Sequence, residues 1–216
     1  MPELTLPSRP PITESELYQM ATMVLTLPRY EFDCEALAVY CGMGEAERIV
    51  EAIRVWHSHR SCSRVLLIAE QYHENLPYTH LSAQMLMKDP FCLKRLEGVT
   101  FTLSTPNTFE QAKWVIDQVM KKKISSLAVF TSPFHVLRVF CTTIKCLMDS
   151  RYGFIPIIPV PVPVSPNKIT ETDLDAWQLA RQEMERICSY QAKGDVATFA
   201  ETAFYLKWLW ESAGFL

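Results

Sequence analysis

The chain has 216 residues, 49% of them hydrophobic and 21% charged, which is enough to bury one sizeable core as a single domain and argues against disordered or repeat architectures. The formal net charge of −3 argues against nucleic acid as a partner, since the one dense basic run, Lys121-Lys122-Lys123, reads as the last turn of a helix, where cations complement the dipole. Seven cysteines without a C-x-x-C pair argue against a disulfide framework and a structural zinc site, and free thiols in a cytoplasmic, reducing compartment are expected.

Residues 1–11 are polar and proline-rich, with no apolar core behind a basic start, so no secretory signal is expected. The longest apolar candidate for a membrane span, 154–164, is short and broken by prolines, so no membrane partner is expected either. A helix is predicted over 13–26. The run Ala36-Leu-Ala-Val-Tyr-Cys41 then reads as a buried strand closed by Gly42-Met43-Gly44, and 45–59 follows as an amphipathic helix with Ala46, Ile49, Val50, Ile53 and Trp56 as its apolar residues. Residues 64–69 repeat the buried-strand pattern, 79–88 reads as a helix, and 98–103 as a further short strand. Phe109, Ala112, Ile116, Val119 and Met120 mark one face of a helix that ends at the lysine run. Residues 127–130 form another buried strand, and 134–148 another helix. Residues 154–160 add a strand, but Pro156, Pro159, Pro161, Pro163 and Pro166 remove too many ladder donors for a central place. An edge strand running into an extended loop is therefore expected. Two closing helices, 173–190 and 195–212, carry Trp177, Phe199, Phe204, Trp208 and Trp210, read first as packing and alternatively as a homo-oligomer surface.

Unbroken apolar strands separated by helices of three to four turns imply a mainly parallel sheet covered on both faces. The expected fold is α/β, a Rossmann-like three-layer sandwich with extra C-terminal helices, forming a single domain over 1–216. In such sheets ligands bind beyond the carboxyl ends of the strands, where helix amino termini offer unpaired N–H groups. After the first strand, Gly42 and Gly44 let the backbone approach a ligand, and Arg48 stands near the start of the next helix. Glu47 occupies the place of a third glycine, so no dinucleotide fingerprint is present. The same segment reads equally as a tight turn with a surface arginine. Further on, Asn107 with Glu110 can form a capping box, and Thr105 before Pro106 is an alternative helix start, so structure alone can account for these polar residues.

The sharpest segment is Thr131-Ser132-Pro133-Phe134-His135-Val136-Leu137-Arg138. Ser132 is placed as an N-cap, Pro133 as the first helical residue, and His135 and Arg138 stand three apart on one face. A hydroxyl, an imidazole and a guanidinium then converge near a positive helix end, as a phosphate or carboxylate would need. No glycine-rich elbow surrounds Ser132 and no acidic residue is positioned in sequence to orient His135, so a serine hydrolase is not expected. His57 with His59 and His73 with His80 are poorly placed as ligands, and no metal is expected.

Together these segments resemble the family of unknown function that includes the bacterial proteins YdcF, SanA and ElyC. Its members have a strand ending in glycines with a following R-x-x-x-A, a middle S-x-N-T-x-E-N-A motif, and a later strand ending T-S-x-x-H-x-x-R. The counterparts here are Gly42 and Gly44 with Arg48 and Ala52, then Thr105, Asn107, Thr108, Glu110, Gln111 and Ala112, then Thr131, Ser132, His135 and Arg138. The resemblance covers about 35–150, leaving a helical extension at about 170–216, and it implies a Rossmann-like fold with a shared polar pocket. Departures are Ala69-Glu70-Gln71 where the family has a Ser-Gly turn, Ser82-Ala83-Gln84 for its acidic stretch, Gln111 for its asparagine, and no glutamate before the middle motif. Several members are membrane-anchored envelope proteins, a location not expected of this chain.

The leading expectation is a site for a small anionic, nucleotide-like or phosphorylated molecule, with Gly42, Gly44, Arg48, Asn107, Thr108, Thr131, Ser132 and Arg138 binding it. Glu110 and His135, the titratable pair of the matched motifs, are the acid–base candidates of a transferase or phosphoester hydrolase. Gly42, Asn107 and His135 are expected to line one cavity. The competing expectation is a catalytically silent fold that binds a protein or regulatory ligand through its aromatic C-terminal helices. The sequence names no cofactor.

Overall fold

The computed structural model describes residues 12–25, 27, 34–42, 46–58, 65–70, 81–102, 105–165, 167, 169 and 173–212. An opening helix, α1 (Glu14–Leu25), precedes β1 (Ala36–Tyr40), which leads through α2 (Ala46–Ser58) to β2 (Val65–Ala69). A short α3 (Ala83–Leu86) lies before β3 (Val99–Phe101), and α4 (Thr108–Lys122) carries the chain to β4 (Leu127–Thr131). A 3-10 turn, Pro133–His135, runs into α5 (Val136–Ser150), followed by β5 (Ile157–Pro161), α6 (Ala176–Lys193) and α7 (Phe199–Ser212).

The five strands among the described residues are all parallel, in the order β3-β2-β1-β4-β5. β1, β2 and β4 are apolar apart from Thr131, because helices cover both of their faces. Ala36, Ala38, Tyr40, Leu67, Ala69, Leu127, Val129 and Ile157 share a core with α1, α4, α5 and α7. The alternate residues, among them Leu37, Val39, Leu66, Ile68, Ala128, Phe130 and Ile158, pack on α2, α3 and Leu93. The expected Rossmann-like sandwich is the fold of this protein. Among the described residues no helix is long and apolar enough to cross a membrane.

Two elements differ in extent from the periodicity, and a third lies where its prolines place it. The helix expected over 79–88 is a single turn in its described part: Ser82 caps it by accepting the Met85 N–H, and Pro90 cannot continue it. The helix expected at 134 is preceded by the tighter 3-10 turn, with Pro133 at its start. The proline-rich strand lies at the sheet edge, as the missing ladder donors require. On its inner side the Leu127 N–H donates to Pro156 O and the Val162 N–H to Thr131 O, while the Ile157 N–H donates to the Tyr205 hydroxyl.

The aromatic stripe divides between packing and surface. Tyr205 is fully buried, and Phe154 meets Tyr205 and Trp208 edge to face, while Trp177 and Phe204 are exposed. Cys34, Cys41, Cys92, Cys141, Cys146 and Cys188 are free thiols; Cys62 lies outside the described residues.

Candidate functional site

The strand order reverses between β1 and β4, and the loops after these two strands flank the crevice where open parallel sheets hold ligands. Gly42 follows β1 there, while Gly44 lies outside the described residues. Arg48 is not a surface arginine. It is buried, its Nε donating to Ser132 Oγ at 2.8 Å and its Nη1 to Tyr40 O at 2.8 Å, so one side chain ties the end of β1 to the turn after β4. The Ser132 hydroxyl, expected to cap the next helix, is engaged by Arg48 and makes no side-chain cap; its carbonyl accepts the His135 N–H instead. Thr131 is buried at the end of β4, and its Oγ1 has no hydrogen-bond partner among the described residues.

Arg48→Met should therefore strand a buried carbonyl and a buried hydroxyl. A loss of about 1–3 kcal/mol is expected in denaturant titration. An unchanged midpoint would show the arginine to be dispensable.

On the other side of the sheet, Asn107 is extended and its Oδ1 accepts the Glu110 N–H at 3.0 Å, which completes half of the expected capping box. Glu110 does not complete it and does not approach His135: its half-exposed carboxylate pairs with Lys113 Nζ at 3.2 Å. Gln111, one turn into α4, is buried and donates from Nε2 to Cys41 O and Ala69 O, at 2.9 and 2.7 Å, linking the helix to the ends of β1 and β2. Thr105 donates its hydroxyl to the carbonyl of Glu70, whose carboxylate accepts the Leu81 N–H.

The carboxylate beside His135 is Glu183, from α6. Its Oε2 lies 2.8 Å from His135 Nδ1 and accepts from Arg138 Nε, and its Oε1 accepts from Arg138 Nη2 at 2.9 Å and from Arg186 Nη1 at 2.9 Å. Arg138 Nη1 donates to Thr108 Oγ1 at 2.9 Å, and that oxygen stands 3.4 Å from His135 Nε2. The Tyr190 ring packs against the guanidinium, 5.6 Å from centroid to Cζ. Thr108, His135, Arg138 and Glu183 thus form one buried polar cluster joining α4, the 3-10 turn, α5 and α6.

No family model and no curated protein matches this chain.

Burial and the Arg138 guanidinium push the His135 imidazole down to about 4, against the pull of Glu183, so the ring is neutral at pH 7. Burial alone would raise the Glu183 carboxyl, but hydrogen bonds and charge from His135 and Arg138 hold it below the usual carboxylate range. Nδ1 of His135 meets the ionised Glu183 carboxylate, which only accepts, at 2.8 Å and an Arg138 Nη2 donor at 3.1 Å; the closer partner places the proton on Nδ1 and turns the Nε2 lone pair toward Thr108.

A cavity of about 90 Å³ opens beside this cluster, bordered by Asn107, Thr108, Arg138, Thr142, Tyr190 and Asp195. Gly42 and His135 are not among its lining residues; His135 lies behind Thr108. The structure therefore gathers Thr108, His135 and Arg138 at one point and Arg48 with Ser132 at another, with Asn107 at the cavity rim and Glu110 directed to Lys113. Glu183 escaped the sequence reading because it lies 48 residues beyond His135. Its signal was present nonetheless: Leu179, Glu183, Ile187 and Gln191 are the buried residues of α6, spaced four apart. A charge on an otherwise inward-facing stripe requires a buried partner.

Among the described residues no cluster of three His, Cys, Asp or Glu side chains could hold a metal. His59, His73 and His80 lie outside them.

Proposed function

We propose that the chain binds a small nucleotide-like or phosphorylated molecule at the carboxyl ends of its strands and acts on it as a transferase or phosphoester hydrolase, with His135 as the acid–base group. The observation that carries this reading is the His135 ring, neutral, fixed in one tautomer by Glu183 and facing a hydroxyl at the edge of a cavity. Support also comes from the likeness to the YdcF, SanA and ElyC family, since Thr108, His135 and Arg138 belong to the motifs that carry it. Glu183 takes the place beside His135 that Glu110 was expected to hold. A cytoplasmic, reducing location goes with this reading, since the six described cysteines are free thiols.

A second reading has its own observation in favour. Arg48 and Arg138 both spend their donors on protein groups, as they would in a catalytically silent fold that binds its partners elsewhere. Thermal shifts across nucleotides, S-adenosylmethionine and sugar phosphates separate the two. A native-state ligand at 100 times its Kd adds about 2.7 kcal/mol. At least one member of the panel should raise Tm, and the shift should vanish in Thr108→Val. A flat response across the panel leaves the silent fold as the reading.

A further inference from the structure

We propose that Thr108 is a catalytic nucleophile, served by His135 and Glu183, that takes up and releases the acyl group of an uncharged carboxylic ester. This rests on His135 being the acid–base group and goes beyond it in naming the attacking atom and the reacting bond.

Three side chains from three elements stand in sequence. Glu183 Oε2 holds His135 Nδ1 at 2.8 Å, and His135 Nε2 faces Thr108 Oγ1 at 3.4 Å. A carboxylate that orients an imidazole, which in turn faces a hydroxyl, is the arrangement of nucleophilic acyl transfer, and it is recognised by geometry and roles whatever the fold or the order in the chain. A separation of 3.4 Å suits a catalytic hydrogen bond before substrate tightens it. Arg138 Nη1 donates to the same Oγ1 at 2.9 Å and stabilises the negative charge that develops there as the proton leaves.

The start of α4 supplies the rest. Asn107 Oδ1 occupies the Glu110 N–H, and the Thr108 and Phe109 amides come before the first intrahelical acceptor. Two backbone donors next to the nucleophile are what a tetrahedral oxyanion needs. The cavity selects the reacting group. Asp195 lines it and Glu183 pairs with Arg138, so the group that reacts beside Thr108 is best an uncharged ester.

In the first step a bond forms from Thr108 Oγ1 to the ester carbonyl carbon, and the hydroxyl proton passes to His135 Nε2. The carbon–oxygen bond to the alcohol breaks, and the alcohol leaves with that proton. Water then attacks the threonyl ester, giving one proton to His135 Nε2, which returns it to Thr108 Oγ1 as the carboxylic acid departs. Ester and water are consumed, acid and alcohol are formed, and the protein is restored.

The test uses the full chain with p-nitrophenyl acetate and p-nitrophenyl phosphate, acid quench and peptide mass spectrometry. The wild type should release p-nitrophenol from the acetate and carry one acetyl group on Thr108. Thr108→Ser should keep the label; Thr108→Val should lose it, with hydrolysis falling about 10²-fold or more. Should Thr108→Val fail to fold, the site of the acetyl group in the wild-type peptide decides alone. Turnover of the phosphate alone would overturn this inference while leaving the proposed function standing. Acetate turnover that depends on His135 with no acetyl on Thr108 would keep the base and reject the nucleophile. No turnover of either ester rejects the inference, and if the ligand panel is also silent the proposed function falls with it.

Discussion

Replacing Glu183 with leucine is expected to destabilise the protein by about 3–5 kcal/mol, the cost of leaving one member of a buried ion pair uncompensated. Glu183 accepts from Arg138 through both oxygens and from Arg186, and it meets His135, all in the interior. Its loss strands the Arg138 cation and removes the polar link between α6 and the 3-10 turn. In a domain of this size the loss corresponds to a fall in Tm on the order of 10 °C. The double variant Glu183→Leu with Arg138→Met should recover much of it, because apolar groups of similar volume often replace a buried pair at little cost. Denaturant titration of the single and double variants measures both, and a Glu183→Leu variant within 1 kcal/mol of wild type (about a fivefold change in the folding equilibrium) would mean that the cluster is not a structural clamp.

Mild acid is expected to weaken the fold through the same cluster. His135 has its ordinary value of 6.5 in the unfolded chain and about 4 in the folded one, so between these values the unfolded state binds the extra proton. The contribution is complete above pH 6.5 and is lost as pH falls through the window, with a magnitude of about 3 kcal/mol. Glu183 acts in the same direction lower down: its carboxyl is depressed, so its contribution is present above the ordinary value of 4.5 and lost as pH falls below it. Unfolding free energies at pH 7, 5.5 and 4.5 provide the measurement. His135→Asn should flatten the slope between pH 6.5 and 4.5, and an equal slope in wild type and variant would assign the acid sensitivity to other groups.

β1, β2 and β4 were legible because each is a nearly unbroken apolar run between helical patterns, and burial on both faces is what erases alternation from Ala36–Tyr40, Val65–Ala69 and Leu127–Thr131. The edge place of the proline-rich strand was legible for a chemical reason, the missing N–H groups. Less could be read where one local signal served two outcomes. Ser132 before Pro133 has the sequence of a cap, but a hydroxyl takes the stronger donor offered, and that donor comes from Arg48, 84 residues earlier. Asn107 and Glu110 have the spacing of a reciprocal box, yet Lys113 competes for the carboxylate one turn on. The partner of His135 could not be found by local spacing, because sequence distance says nothing about which helix returns to a strand end.

The edge formed by β5 has a consequence for self-association. Along this strand the residues whose amides face away from β4 are Ile157, Pro159 and Pro161. The first gives its N–H to the Tyr205 hydroxyl, and the other two have none to give. No amide donor is left along that border for another chain to zip onto. At the opposite border β3 spans only three residues, too short to template a ladder. Both margins of the sheet therefore offer few backbone donors to a second copy, which disfavours edge-to-edge growth of a chain that is 49% hydrophobic.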